Sequence, residues 1–584
     1  MYELLKNINA SSDIKKLSLT ELNQLAGEIR EGLFNRLTNV GGHCGPNFGF
    51  VEASIALHYV FDSPHDKFVF DVSHQSYAHK MLTGRRFGYI DNDRFAEDSG
   101  YSNPHESEHD LFNIGHTSTS VSLATGLAKA RDLLGRRENV IAVIGDGSLS
   151  GGEAMEGLNV AGSEINGNLI IVVNDNQQSI SETHGGLYKS LADLRASKGA
   201  SANNIFKAFG LDYVYEDNGN DIASLINVFR SVKDIKHPVV VHINTTKGKG
   251  FALAEQNKEA WHWTVPFNRN TGLPTVSVPP VTYTSVAREY IMRRAETDDK
   301  FVLVTPNMPG SFGFTPDLRA KLGSKFVDVG IAEEQAVAMA SGLAKGGANP
   351  LIITNTTFMQ RAYDQLSQDL CINGNAVTIL LNYANFDGLT DVTHLGIFGI
   401  SAFSNIPNLT VLAPSNRAEL VSMLDWSLDK ANRPVIILMP GNAVTDGTTQ
   451  QPYDPTKYNV TQHGEKVAVI TLGDFYAKGQ SLAEYIEKSL GFTPTLADAR
   501  NASTIDAATL DEIAKNCKVV VTLEDGILDG GLGQKIAAHY ATTDVKVLTY
   551  GLNKVFYDRY DPNELLKSLG ITNEQMTAKI AELL

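Results

Sequence analysis

The sequence predicts an α/β protein of three parallel-sheet domains, and three observations carry that expectation. Short apolar runs of strand length recur along the chain and end abruptly in glycine or polar residues. Helical patterns alternate with them, as a parallel sheet with crossover helices requires. Two stretches rich in turn formers, 268–280 (NRNTGLPTVSVPP) and 441–455, then divide the chain. The domains expected are 1–267, 281–442 and 456–584, each of ordinary single-domain size or somewhat above it.

Taken in order, Ser18 and Glu21 have capping-box spacing, and Leu22, Leu25, Ile29, Leu33 and Leu37 then recur on one helical face, so the chain opens with a packed helix. From 60 to 243, β-rich runs alternate with helices. Two of these runs, 140–144 (VIAVI) and 169–173 (LIIVV), flank a short helix expected over 152–162. The second domain has strand candidates at 301–304, 351–354, 377–381 and 435–438. The third has them at 467–472, 519–523 and 545–549, with the turn Asp529-Gly530-Gly531-Leu532-Gly533 after the middle one. It offers no obvious chemistry and reads as an assembly domain. The sequence contains no short-period repeat.

Bulk properties exclude several classes of function. A formal net charge of −16 and a pI near 5.4 argue against a nucleic-acid groove or an anionic membrane as partner, so any anionic substrate must meet local cations. Three scattered cysteines, Cys44, Cys371 and Cys517, make neither a disulfide framework nor a thiolate metal site. The first residues lack the apolar core of a signal peptide, and no run reaches membrane-spanning length. The expectation is a soluble cytoplasmic protein.

The chemistry concentrates between Gly145-Asp146-Gly147 and Asn174-Asp175-Asn176. Both motifs follow strand candidates, so Asp146 and Asn176, 30 positions apart, reach the ligand edge of one parallel sheet. A hard cation such as Mg²⁺ takes oxygen ligands in octahedral array and commonly keeps phosphate oxygens among them. One carboxylate, one amide carbonyl and a diphosphate meet that need. Gly147 allows close backbone approach and Ser148 can donate to a phosphate. Either motif alone could simply end a strand; together they point to a metal-bound diphosphate, as in thiamine diphosphate. Far along the chain, Glu333 in Gly330-Ile331-Ala332-Glu333-Glu334-Gln335 begins an alanine-rich helical stretch. An acid there complements the helix dipole. It is equally the carboxyl that thiamine chemistry needs against the aminopyrimidine ring, whose amino group then takes the thiazolium C2 proton.

Further motifs accompany these: Gly41-Gly42-His43, Asp71-Val72-Ser73-His74-Gln75, Tyr77-Ala78-His79-Lys80, Leu82-Thr83-Gly84-Arg85-Arg86 and Gly115-His116-Thr117-Ser118-Thr119-Ser120. Lys247-Gly248-Lys249-Gly250 and Thr357-Phe358-Met359-Gln360-Arg361-Ala362-Tyr363-Asp364-Gln365 follow later in the chain. With them the chain resembles, nearly end to end, the 1-deoxy-D-xylulose-5-phosphate synthases, members of the transketolase-like thiamine diphosphate enzymes. The resemblance implies that Asp146 and Asn176 bind Mg²⁺, joined by the backbone carbonyl of Gln178. It implies that His74, Gly115, His116, Thr117, Gly147, Ser148, Asn176 and Phe251 line thiamine diphosphate. Glu333 would activate the ring and Phe358 pack on it. His43, His262 and His394 would move or orient protons, and Arg361 with His394 would meet substrate. It further implies a homodimer acting on pyruvate and an aldehyde, glyceraldehyde 3-phosphate in the family. Lys247 and Lys249 read equally as a solvated turn or as neighbours of the cofactor, Arg361 as a helix cap or an anion ligand, and Cys44 as a small buried side chain.

The chain departs from the family pattern on the acceptor side. Asn382-Tyr383-Ala384-Asn385 and Leu438-Met439-Pro440-Gly441 carry no arginine where the family presents them, Asn355 replaces a tyrosine, and an expected aspartate falls at or next to Thr390, with Asp391 as a substitute. Pro46 stands where a serine is usual, Phe251 where a tyrosine is, the basic loop before Glu106-Ser107-Glu108 is shortened, and 187–210 is shorter than the family's mobile insertion. Two arginines would contribute about 1.5–3 kcal/mol each toward a phosphate dianion. A divergent paralogue with another aldehyde, a transketolase-like enzyme, and a catalytically silent binding subunit are the alternatives.

Overall fold

Ser18 caps the helix Leu19–Val40, its hydroxyl accepting from Glu21 N while the Glu21 carboxylate accepts from Ser18 N at 2.7 Å. The leucine and isoleucine stripe of that helix is fully buried, as its spacing predicts. In the computed structural model, which describes residues 2–584, residues up to Val278 with Gly330–Ala332 form one unit, and Pro279–Val329 with Glu333–Leu584 form another.

The first unit is built on a five-stranded parallel sheet of β1 (Lys67–Phe70), β2 (Val140–Gly145), β3 (Leu169–Asp175), β4 (Asp212–Glu216) and β5 (Val239–Asn244), in the order β1-β2-β3-β5-β4. Val140 to Ile144 and Leu169 to Val173 have no exposed surface. Helices cover both faces of β2 and β3, so these strands are uninterrupted apolar runs rather than alternating ones. The crossover between them is the helix Gly152–Glu164, two residues longer than its sequence pattern indicates. An antiparallel ribbon of Gly42–His43 and Trp263–Thr264 ties the start of the unit to its end.

The second unit contains two sheets. The six-stranded one comprises β6 (Phe301–Thr305), β7 (Phe326–Asp328), β8 (Asn349–Asn355), β9 (Thr378–Asn382), β10 (Thr410–Leu412) and β11 (Val435–Leu438), all parallel, in the order β10-β11-β9-β8-β6-β7. The other comprises β12 (Asn459–Gln462), β13 (Lys466–Leu472), β14 (Thr495–Asp498), β15 (Cys517–Ile527) and β16 (Lys546–Leu552), in the order β12-β14-β13-β15-β16. Here the all-parallel expectation needs one correction. β12 runs antiparallel to β14 at the edge, because only residues 463–465 join β12 to β13, too few for the crossover that a parallel strand would need. The glycine turn after β15 also acquires a reason. Glu524 at the strand end accepts from Leu532 N and Gly533 N at 2.7 and 2.8 Å, capping the helix Leu532–Tyr540, and a Cβ at Gly531 would lie 2.4 Å from that carboxylate. Arg500 joins the two sheets by donating to Glu419 through Nε and Nη2, each residue 1% exposed in its side chain.

Candidate active site

Three loops of the first unit converge at the carboxyl ends of β1, β2 and β3. Asp146 opens the loop after β2, and Asn176 and Gln178 lie in the loop after β3. A Cβ on Gly147 would fall 2.4 Å from Ser179 Oγ, so only glycine lets these two loops close on one another. The third loop carries Gly115, His116 and Thr117 and is pinned by Asp71, fully buried at the end of β1, which accepts from Ser118 N and Ser120 N at 2.9 and 3.0 Å. Ser118 Oγ donates to Ser148 O at 2.8 Å, joining that loop to the one after β2. The Ser148 hydroxyl, expected on a phosphate, also faces Asp71.

Asp146 Oδ2 and Asn176 Oδ1 are both buried and accept no hydrogen bond from any protein group. Burial and the neighbouring Asp175 carboxylate push the Asp146 pKa upward. A divalent cation would satisfy both oxygens and remove that penalty, so the donor set suits Mg²⁺.

Beside these loops, His43, His74 and His262 form a triangle, with ring centroids 5.5 Å (His43 to His74), 5.6 Å (His74 to His262) and 5.5 Å (His43 to His262) apart. Asn47 holds two of its segments, donating Nδ2 to His43 O and His74 O at 2.8 and 2.7 Å. Burial and the charge of Lys247 push His74 down to about 4 and His262 well below its ordinary range. His74 and His262 are therefore seated among neutral or cationic neighbours. Lys247, which the sequence leaves open as a solvated turn, is 1% exposed. Its Nζ lies 3.1 Å from His262 Nδ1 and donates to Ser179 O, and burial lowers its pKa to about 7. An amine donating to Nδ1 selects the His262 tautomer with its proton on Nε2. Phe251, expected beside the thiazolium, sits in an aromatic cluster with Phe34, Phe48, Trp261 and Phe267, where it backs the Trp261-His262-Trp263 segment. Cys44 is a buried thiol whose pKa burial raises, with no nucleophilic character.

In the second unit Glu333 starts the helix Glu333–Lys345 and is 3% exposed. Burial lifts its carboxyl to about 7 against the attraction of Arg361, whose Nη1 lies 3.5 Å from Glu333 Oε2. That oxygen has no hydrogen-bond partner in the protein. A carboxyl balanced near neutrality can donate a proton to a ring nitrogen as well as accept from one. Arg361, read from sequence as a helix cap or an anion ligand, is thus first of all a neighbour of Glu333. Phe358 and His394 meet edge to face at 5.6 Å, and Thr393 Oγ1 lies 2.8 Å from His394 Nδ1. The arginine-free segments 382–385 and 438–441 follow β9 and β11. Close to them Asp387, Asp474 and Asp525 bring carboxylate oxygens within 4.8 Å of one another. The third domain therefore contributes two acids beside the second sheet's ligand edge, which no local motif announces.

Residues 5–204 and 196–245 match the family described as 1-deoxy-D-xylulose-5-phosphate synthase, 279–446 the transketolase pyrimidine binding domain, and 456–576 the transketolase C-terminal domain. With the parallel-sheet architecture these matches define a transketolase-type α/β protein. The chain is 34% identical over 629 residues to the 1-deoxy-D-xylulose-5-phosphate synthase of Chlorobaculum tepidum, covering 100% of this chain and 98% of the relative. It is 35% identical over 625 residues to that of Syntrophomonas wolfei, covering 100% and 97%, and 36% identical over 576 residues to that of Natranaerobius thermophilus, covering 92% and 91%. The chain belongs to the 1-deoxy-D-xylulose-5-phosphate synthase family.

Proposed function

We propose that the protein is a thiamine diphosphate- and Mg²⁺-dependent carboligase that releases CO₂ from pyruvate and joins the remaining two carbons to the aldehyde of glyceraldehyde 3-phosphate. The product is 1-deoxy-D-xylulose 5-phosphate, a precursor for isoprenoids and thiamine. The observation that carries this reading is the pair of buried oxygens, Asp146 Oδ2 and Asn176 Oδ1, that no protein group satisfies at the carboxyl edge of one sheet. The full-length relatives support it.

Thiamine diphosphate supplies the nucleophilic carbon and electron sink for decarboxylation and carbon–carbon bond formation. This chain's residues supply the rest. Asp146, Asn176 and the Gln178 carbonyl hold Mg²⁺, and Gly115, His116, Thr117, Gly147 and Ser148 line the diphosphate loops. Glu333 exchanges a proton with the pyrimidine ring at its carboxyl, with Arg361 setting how readily it ionises and Phe358 packing on the ring. His262, its Nδ1 held by Lys247, presents Nε2–H to the substrate oxygen. His74, kept neutral by burial, and His43 complete an imidazole wall that excludes bulk water from the reacting carbon. Arg361 and His394 orient substrate.

No helix among the described residues is long and apolar enough to cross a membrane. The reading includes a homodimer in the cytoplasm, as in the family it resembles. The test is CO₂ release from pyruvate across a panel of phosphorylated and unphosphorylated aldehydes, with product identification. Pyruvate-dependent CO₂ release with formation of 1-deoxy-D-xylulose 5-phosphate is expected. Turnover confined to another aldehyde would overturn the acceptor, and failure to bind thiamine diphosphate with Mg²⁺ would overturn the whole reading in favour of a silent binding subunit.

A further inference from the structure

We infer that the helix Gly186–Ala196 is a clamp that positions both halves of the metal site, acting through Tyr188 on the Asp146 loop and through Arg195 on the Asn176 loop; the inference rests on the function proposed above. Tyr188 and Arg195 are seven residues apart, two helical turns, and so share a face. The Tyr188 hydroxyl lies 3.2 Å from both Asp146 O and Gly147 O. Arg195 Nη1 pairs with Asp175 Oδ2, between the strand and Asn176. One rigid element thereby reaches the two loops that must hold a cation between them.

Asp175 is the keystone of the second contact. It has no exposed surface, yet its carboxylate is fully used inside the protein. Oδ2 accepts from Arg195 and from His242 Nε2 at 2.9 Å, and Oδ1 accepts from Gln177 N at 3.1 Å. Its backbone oxygen accepts from Thr245 N at 2.9 Å. Because a carboxylate only accepts, His242 must carry its proton on Nε2, and its Nδ1 faces the Tyr213 hydroxyl at 2.8 Å. The bond from Gln177 N fixes the one left-handed residue of the turn, Gln177 at φ +61°, between Asn176 and Gln178. Of two adjacent buried aspartates, then, Asp175 spends its oxygens on Arg195, His242 and the turn, and Asp146 keeps one for the metal. Such outer contacts typically change metal affinity 10- to 100-fold when removed, roughly.

The sequence marks none of this, since Tyr188 and Arg195 lie outside every recognised motif. The test uses full-length Tyr188→Phe and Arg195→Gln, with Mg²⁺ titrated at saturating thiamine diphosphate and read by intrinsic fluorescence, alongside the melting temperature of each cofactor-free protein. Each variant is expected to raise the Kd for Mg²⁺ about tenfold or more; Tyr188→Phe should leave the cofactor-free melting temperature nearly unchanged, Arg195→Gln should also lower it because Asp175 stays buried with one partner fewer, and Arg195→Lys should recover part of the affinity. A merely structural helix would lower the melting temperature and leave Kd at the wild-type value, which would overturn the inference. If Arg195→Gln does not fold, Tyr188→Phe, which removes a single hydroxyl, decides alone. Wild-type protein that fails to bind would refute the proposed function itself, whereas wild-type binding with unchanged variant Kd refutes only the clamp.

Discussion

Replacing Glu333 with glutamine should make the cofactor-free protein more stable at neutral pH while removing most of its activity. Glu333 is 3% exposed, and burial carries its carboxyl from 4.5 to about 7 even with Arg361 beside it. Between those two values the native state holds a proton that the unfolded chain has released, so native stability falls as pH rises through the interval. One pKa unit is worth about 1.4 kcal/mol, and the interval is therefore worth roughly 3 kcal/mol by pH 8. The attraction of Arg361 is already contained in the shifted value, so it needs no separate correction. Glutamine copies the neutral acid in shape but does not titrate. The stability difference between Glu333→Gln and wild type should accordingly be near zero at pH 4 and grow to roughly 3 kcal/mol at pH 8, read by urea unfolding of the cofactor-free proteins. Activity should drop about 10²- to 10⁴-fold, the usual worth of a positioned acid or base. A stability difference that is flat from pH 5 to pH 8 would refute the burial argument. Activity retained within a few fold would refute the role assigned to the carboxyl.

Gly147→Ala should raise the Kd for thiamine diphosphate about tenfold or more, because its new Cβ would sit 2.4 Å from Ser179 Oγ; adding Ser179→Gly should restore most of the affinity, and a double-mutant cycle without coupling would count against the loop contact. Lys247→Met should cost about 10- to 100-fold in kcat and erase any limb of the pH–rate profile near pH 7, since the amine titrating at about 7 also fixes the His262 tautomer. In the second unit, Arg500→Met should destabilise the protein by about 3–5 kcal/mol in urea unfolding by leaving Glu419 charged and buried, and Arg500→Met with Glu419→Leu should recover much of it.

Much of the architecture was legible because its central strands are buried on both faces. Runs such as 140–144, 169–173 and 519–523 announce themselves without help from periodicity. Strands of three or four residues, such as Phe326–Asp328, Thr410–Leu412 and Asn459–Gln462, give too little pattern to stand out, and the antiparallel sense of the last is set by its short link to the next strand. The places of Asp146 and Asn176 at the strand ends were legible for a local reason: each follows its strand directly. The burial of Lys247 was not, because Lys-Gly-Lys-Gly reads equally as a solvated turn or as a cofactor neighbour until Ser179 and His262, 68 and 15 residues away, close over it. His43, His74 and His262 share no spacing that would bring them together, and only resemblance to a family joined them. Tyr188 and Arg195 had no signal at all, since a helix face shows its use only when the loops it touches are placed.

What unites these cases is a set of polar atoms that local rules alone would not leave as they are. Asp146 Oδ2, Asn176 Oδ1 and His74 Nδ1 in the first unit, and Glu333 Oε2 in the second, are all buried without a hydrogen-bond partner in the protein, and each such atom costs about 1–3 kcal/mol. Other buried polar atoms are unsatisfied too, Ser54 Oγ, Tyr89 OH and Thr522 Oγ1 among them, so what sets these four apart is their chemistry: two acids, an amide and an imidazole. On the proposed function, stability given up at these atoms in the cofactor-free protein reappears as affinity when a ligand meets them. It follows that Glu333→Gln, and likewise Asp146→Asn, should move stability and activity in opposite directions. Removing one partner of a buried ion pair away from these atoms, such as Arg500 and Glu419, should instead cost stability, with no compensating change in cofactor affinity.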